Sequence, residues 1–462
     1  MSSIASMYPT TFRQTGAGGN PFRPGGAAVI GVRQGRGGAS SAGDAATLSD
    51  QALNMSRTMR TAPADSSADP GDTGTWRTVT SLATASGRTL EIESLSGGVY
   101  RMTVLGSQGD AEQTLALNGD VLVREDESGN LVTAAYAEGD ETDGDDIIIA
   151  MSGKAVSGGG GDDRIVGLGL GGRPSPDGDM IDGGDGNDAV FLYGAGRTPV
   201  GVDTGDGDDR VTVSGGLELE LNTGNGDDIV SGAVLHGTID TGAGDDAVEA
   251  SYAISAAIDT GDGDDSLRAG YSIGGTIDTG AGDDELVSGY EIIGTISTGS
   301  GRDRLDADHG IDATVDTGDG DDSLGAGYGI SGNIATGDGN DHLEAGYEME
   351  GHIDTGGGND FLDIGYDLGA AVVTGDGSDV VRAGNSISGS VDTGEGTDVV
   401  RSGHEPDGDV DPGDGTAVVA AGANAERGYS GLLPASGPGR HADASGGRGE
   451  THARLRRADF YV

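Results

Sequence analysis

Apolar and polar residues alternate in short runs through the middle of the chain. Across Ile258 to Asp278, Leu267, Ala269, Ile273 and Ile277 share one parity, while Ser266, Arg268, Ser272, Gly274 and Thr276 take the other. Period two is the pattern of a half-buried strand. Gly270 and the run Thr279 to Gly282 break the alternation, so each unit is predicted to hold two short strands joined by two tight turns. The unit recurs. The Thr of a Thr-Gly-x-Gly-x-Asp motif stands at Thr204, Thr223, Thr241, Thr260, Thr279, Thr298, Thr317, Thr336, Thr355, Thr374 and Thr393, at intervals of 19 residues save one of 18. A fixed period of this size marks a solenoid, whose coils bury their apolar faces by stacking on one another. The expected fold is all-β: a parallel β-solenoid of 19-residue coils, with neighbouring coils about 4.8 Å apart.

Upstream the alternation changes character. WRTVTSL, RTLEIESL, VYRMTVLG, AEQTLALNG, DVLVRE and NLVTAAY are strand-like runs split by Gly and Asn, so residues 76–137 are expected to form a small antiparallel β unit. It serves either as an N-terminal cap, since a bare first coil invites edge pairing, or as a binding module. Residues 1–75, rich in Gly, Ser, Ala and Thr, are expected to be a disordered leader with at most a short helix over Ala46 to Met59. The repeats occupy residues 138–420 and begin raggedly, with a bulging loop expected over Gly169 to Gly178; residues 421–462 form a flexible tail.

One turn of each coil carries acid. The last Asp of the motif falls at Asp209, Asp228, Asp246, Asp265, Asp284, Asp303, Asp322, Asp341, Asp360, Asp379 and Asp398, with irregular forerunners at Asp146, Asp163 and Asp188. Stacking would place these carboxylates in a column well inside a Debye length of roughly 8 Å. Such a column repels itself and calls for cations. Oxygen-rich turns suit a hard ion, above all calcium, so all of these Asp residues are candidate metal ligands.

The turn TGDGDDSL resembles the glycine- and aspartate-rich calcium repeat GGxGxDxUx of secreted bacterial proteins, the hemolysin-type or RTX family. The resemblance covers about residues 139 to 419. It implies calcium held between successive turns by backbone carbonyls and the motif's final Asp. The common nonapeptide form carries calcium along both edges of a flattened roll. Here the acidic turn comes once per 19 residues and the opposite turn reads Ala-Gly-Tyr, so a single calcium column is expected. The spacing is also similar to calcium-dependent ice-binding repeats of a marine bacterial adhesin.

Composition narrows the function. The chain has 462 residues, a net charge of -52, 92 Gly, no Cys and one Trp. The two flanks are slightly basic, leaving -55 on residues 76–420, so the acidity belongs to the repeats. Nucleic acid is an unsuitable partner for such a surface. No apolar run is long enough to span a membrane as a helix. Zero Cys removes a disulfide framework, which leaves calcium as the staple of an exported protein. No HExxH or phosphate loop is present, and equivalent acid pairs in every coil single out none for catalysis, so an enzyme is not expected.

The N-terminal segment lacks a charged region followed by an apolar one, so no cleaved signal is expected. Proteins with such repeats are typically exported by a type I ABC machinery that reads an uncleaved C-terminal signal, and some end in Asp followed by three hydrophobic residues. The ending Asp459-Phe460-Tyr461-Val462 is similar. The chain is therefore read as a secreted or cell-surface protein, unfolded where calcium is scarce and folded outside, in a structural or adhesive role. Fourteen Asp turns leave 13 gaps, room for roughly as many ions.

The alternative reading is an ice- or carbohydrate-binding face. Tyr252, Tyr271, Tyr290, Tyr328, Tyr347 and Tyr366 share one repeat position, with His309, Asn385 and His404 in the same slot: either a stacked ladder or a stripe that grips sugar or another surface. Between the two motif glycines stand Asp262, Ala281, Ser300, Asp319, Asp338, Gly357, Asp376 and Glu395, an irregular, charged column, whereas the Thr column before the first glycine is regular and is expected to be able to contribute to an ice-facing array.

Overall fold

The computed structural model describes residues 75–422 apart from 96–97, 126–130, 138–142, 152–153, 172–178, 412 and 414–415, together with the backbone of 432–434. The short helix expected at Ala46 to Met59, residues 172–178 of the loop expected over Gly169 to Gly178 and the C-terminal ending lie outside the described residues; Gly169 and Leu170 continue the strand Arg164–Leu170 instead of opening that loop. Among the described residues there are strands and no α-helix.

The repeats form a parallel β-solenoid. Ser266 pairs with Glu285, which pairs with Arg304, and the same position continues through Ser323, His342, Phe361, Val380 and Val399 without slip. Register is held because parity decides burial. Leu267, Leu286, Leu305, Leu324, Leu343, Leu362, Val381 and Val400 stack as one fully buried ladder. Ile254, Ile273, Ile292, Ile311 and Ile330 form a second, and Ile258, Ile277, Ile296, Val315 and Ile334 a third. These ladders meet in one continuous core. A one-residue slip would turn every ladder to solvent.

The two-strand coil appears as expected at Ser266–Ala269 and Ser272–Asp278. Earlier coils differ: Ala189–Asp206, Arg210–Asn222, Ile229–Asp240 and Ala247–Asp259 are continuous strands that run round the corner. At the changeover, Ser251-Tyr252 occupies the corner that later reads Gly270-Tyr271. A Cβ at Gly270 would run into the Ser251 carbonyl, and most later corners keep glycine there, although Asp308-His309 turns in the same way.

Both ends close with reversed strand polarity. Strands β1 (Arg77–Ala83), β2 (Thr89–Leu95), β3 (Val99–Leu105) and β4 (Ala111–Leu117) form an antiparallel sheet. The hairpin of β5 (Val121–Glu125) and β6 (Leu131–Ala135) instead joins the solenoid, because β5 pairs antiparallel with β7 (Ile147–Ala150). The sheet therefore continues across residue 138. Outward positions of the first coils, Ile147, Ile149, Val166, Leu168 and Phe191, pack with Leu90, Ile92, Tyr100, Met102 and Val104 in a second core. In later coils the column of Ile149, Val166 and Phe191 becomes Thr212, Ser231, Glu249 and Arg268, so the packed face ends there. At the other end Leu432–Pro434 pairs antiparallel with Thr416–Ala421.

Ile277 is 1% exposed, whereas Ile293 is 38% exposed. Ile277→Ala should cost about 2–5 kcal/mol in chemical denaturation, and Ile293→Ala less than about 0.5 kcal/mol. Equal losses would contradict the parity of the coil.

Candidate metal centre

Each acidic turn from Asp163 on is built by two glycines in a Gly-x-Gly frame; at Asp146 the first of these positions is Thr142. Gly261 and Gly263 have φ of +88° and +152°, outside the range L side chains favour. A Cβ on the equivalent Gly280 or Gly282 would also collide with the carbonyl oxygen of Gly261 or Gly263 in the coil below. Close stacking and left-handed backbone together give the turn its shape.

All 14 Asp residues named above are buried, none more than 2% exposed. Each is tied to its neighbour by one oxygen. Asp246 N–H donates to Asp265 Oδ1 at 2.8 Å and Asp265 N–H to Asp284 Oδ1 at 2.9 Å. The chain of such bonds runs from Asp146 N–H on Asp163 Oδ1 at 2.6 Å to Asp379 N–H on Asp398 Oδ1 at 3.1 Å. The second oxygen is different. Oδ2 of Asp163, Asp188, Asp209, Asp228, Asp246, Asp265, Asp284, Asp303 and Asp322 is buried with no hydrogen-bond donor, as are the hydroxyls of Thr241, Thr279 and Thr298. At Asp341, Asp360 and Asp379 the Thr five residues upstream donates to Oδ2 at 2.5–2.6 Å. Asp146 is held from outside the column by Arg124, whose Nε and Nη2 reach Oδ1 and Oδ2 at 2.6 and 2.9 Å.

Leaving a buried acceptor unmade costs about 1–3 kcal/mol, more when it is charged. Burial pushes Asp188, Asp228, Asp246 and Asp341 up to about 7 and Asp163, Asp265, Asp284, Asp303 and Asp379 up to about 6; neighbouring carboxylates add to the rise, and the coil N–H donors and, where a Thr stands five residues upstream, its adjacent hydroxyl oppose it. The donor set fits a hard divalent cation. At Gly158 and Gly183, which hold the place of the later Thr, a Cβ would meet Asp163 Oδ2 and Gly183 O, or Asp188 Oδ2 and Thr204 O. Oxygens of successive coils thus converge on one point. Among the described residues no three His, Cys, Asp or Glu side chains converge, so a cation here would draw on carbonyls as well as carboxylates.

Three features lay beyond the sequence reading. Thr204 to Thr393, expected to be able to join an outward array, are wholly buried beside the Asp column, because each continues the inward parity of the apolar residue two positions before it, as Thr279 does that of Ile277. The residue before that Thr forms another acidic column, in which burial raises the pKa of Asp203, Asp240 and Asp259. Its signal was present as the Asp of the recurring Ile-Asp-Thr-Gly. Outside the turn an exposed Asx column runs in the opposite sense: Asp264 N–H donates to Asp245 Oδ1 at 2.9 Å and Asp283 N–H to Asp264 Oδ1 at 2.8 Å.

The Tyr column is a continuous stack. From Tyr252 through Tyr271, Tyr290, His309, Tyr328 and Tyr347 to Tyr366, ring centroids lie 4.5–5.2 Å apart with interplanar angles of 3–22°. Interior rings spend both faces on their neighbours. Their edges meet solvent, and only the end rings keep a face on which a sugar could stack.

Among solved structures the chain is similar to a hyperactive, Ca2+-dependent, β-helical antifreeze protein from an Antarctic bacterium, with 22% identity and a TM-score of 0.47 over 59% of this chain and 99% of that one. No family model and no curated protein matches the chain. The fold assignment stands on the strand pairing above.

Carboxylates at about 6–7 when folded titrate near 3.9 when unfolded. Their stabilising contribution is full below about pH 4 and lost as pH rises through 6–7. Metal-free protein should therefore gain β signal in circular dichroism on acidification from pH 8 to pH 5. Asp265→Asn, which supplies a donor in place of the orphan oxygen, should raise the metal-free melting temperature at pH 8 by about 2–4 °C. Loss of β structure on acidification would contradict the buried column.

Proposed function

We propose that the chain is a calcium-binding β-solenoid, akin to hemolysin-type repeat proteins, that folds on meeting extracellular calcium and then serves as a structural or adhesive rod. The observation that carries this reading is the set of nine buried carboxylate oxygens without a donor. At neutral pH those oxygens are costly unless a cation joins them, and millimolar calcium outside a cell matches the weak sites, with Kd on the order of 10⁻⁴ to 10⁻³ M, of extracellular modules.

Asp Oδ2, the carbonyl at the Thr position of the next coil and, from Thr204 on, the Thr hydroxyl would hold an ion. The cation supplies positive charge where the protein has only acceptors. Because the ligands come from adjacent coils, they are together only once the coils have docked, and binding free energy becomes folding free energy. About 14 coils at 4.8 Å give a rod roughly 65 Å long. Its role is structural rather than enzymatic, its place secreted or at the cell surface, and its route the type I ABC machinery that such repeats imply.

A second reading, ice or glycan binding on one face, draws on the exposed Asx column and the outward positions Asp262, Ser300, Asp319 and Asp338, in a column interrupted by Ala281 and Gly357. Their charge disfavours a water-ordering surface. Thermal hysteresis or a glycan-array signal would favour this reading over the plain rod.

The deciding measurement is far-UV circular dichroism during a calcium titration, with magnesium as control. A cooperative, calcium-specific gain of β signal is expected at pH 7.5, and full β signal in chelator at that pH would overturn the proposal. Asp265→Ala combined with Asp284→Ala should lower calcium stoichiometry and split the unfolding transition, because it interrupts nearest-neighbour coupling in mid-column.

A further inference from the structure

We infer that Arg124 takes the place of a cation at the N-terminal end of the Asp column, so that the cap and first coils form a seed that stands without calcium and templates the rest. The inference rests on the calcium reading above and concerns how folding begins.

Two independent observations point to it. The first is the fork of Arg124 on Asp146. In every later coil from Asp163 to Asp322, Oδ2 has no donor, but at Asp146 both carboxylate oxygens accept from one guanidinium, at 2.6 and 2.9 Å. The pair is asymmetric in exposure, 36% for the Arg124 side chain and 2% for Asp146, so the positive charge enters from solvent onto a buried acid. A fixed, bidentate charge belonging to the chain itself needs no ion from outside. It arrives on β5, which pairs antiparallel with β7 through Val121 and Ile149, Leu122 and Ile148, and Val123 and Ile147. The arginine and the strand that closes the solenoid are one element.

The second observation is the extra apolar core. Leu90, Ile92, Tyr100, Met102, Val104, Leu117 and Val123 cover Ile147, Ile149, Val166, Leu168 and Phe191. These first coils therefore bury an outer face as well as an inner one, whereas the coils that follow turn Thr212, Ser231, Glu249 and Arg268 outward. A repeat in the middle depends on its neighbours and on cations; the first coils have a source of stability independent of both. Nucleating a coil is the costly step in a one-dimensional array, so a preformed edge lowers the calcium needed to extend it.

Hydrogen exchange of the full-length protein in chelator at pH 7.5 tests this. Val121–Glu125 and Ile147–Ala150 should exchange roughly a hundredfold more slowly than Ser266–Asp278. In Arg124→Gln, protection of Ile147–Ala150 should fall to the level of the middle coils, and the calcium midpoint of the β signal should rise about two- to threefold. The single Trp, Trp76, lies with the Arg101 guanidinium 4.3 Å from its ring, and Arg101 sits on β3, so its emission reports the antiparallel sheet. It should be unchanged in the variant. Arg124→Lys, which keeps the charge without the fork, should fall between the two. If the wild-type first coils exchange as fast as the middle ones in chelator, or if Arg124→Gln leaves Ile147–Ala150 protected, the seed is overturned while the calcium reading stands. Were Trp76 emission to collapse in the variant, the wild-type exchange comparison would still decide the matter. Full protection of Ser266–Asp278 in chelator would instead overturn the calcium reading itself.

Discussion

A column of buried carboxylates at the spacing of stacked β-strands is the constraint on which this molecule depends. From Asp163 on, one oxygen of each carboxylate locks its coil to the one before by accepting that coil's Asp N–H, as between Asp246 and Asp265. The other is left in a dry interior with like charges above and below. The same contact therefore binds and repels. Protons relieve it in acid, and a divalent cation bound there, as proposed, would relieve it near neutrality and make coil docking and charge neutralisation one event.

The rest of the coil follows. Carbonyls and carboxylates approach one another only if the backbone carries no Cβ at the contact, which fixes the paired glycines in each acidic turn from Asp163 on. Apolar ladders such as Leu267, Leu286 and Leu305 supply attraction along the axis, about 1.5–3 kcal/mol for each large side chain buried. A single coil has only a few of these and cannot offset the ordering of 19 residues alone; neighbours must share the interface. Opposite the acid, the Tyr and His rings stack at the coil interval and stiffen a corner that contains little else.

Termination is as specific as repetition. A parallel stack has no natural end, and an uncovered coil would offer its edge to another chain. At the N-terminal end β5 reverses polarity against β7 and carries Arg124 onto the first Asp; at the C-terminal end Ala417 follows Asp398 in the column and an antiparallel strand closes the sheet. The acidity and the strand pairing are thereby finished together.

By itself the sequence determined whatever repeats. Parity along Ser266 to Asp278 named the buried residues, the interval of 19 gave the coil, and Thr-Gly-x-Gly-x-Asp located the acids of the column from Asp209 to Asp398, with Asp146, Asp163 and Asp188 legible as less regular Gly- and Asp-rich forerunners. Repetition makes local pattern and global packing the same statement, because each coil's neighbour is another copy of itself. Tertiary structure decided what occurs once or depends on backbone direction. The corner at Ser251-Tyr252 runs on as strand, while Gly270-Tyr271 and Asp308-His309 both turn, a difference that the residue in the corner slot does not announce. Arg124, 22 residues from Asp146 and on a strand of opposite polarity, has no periodic signal at all. Its partner is set by the pairing of β5 with β7, a contact that only the folded chain contains.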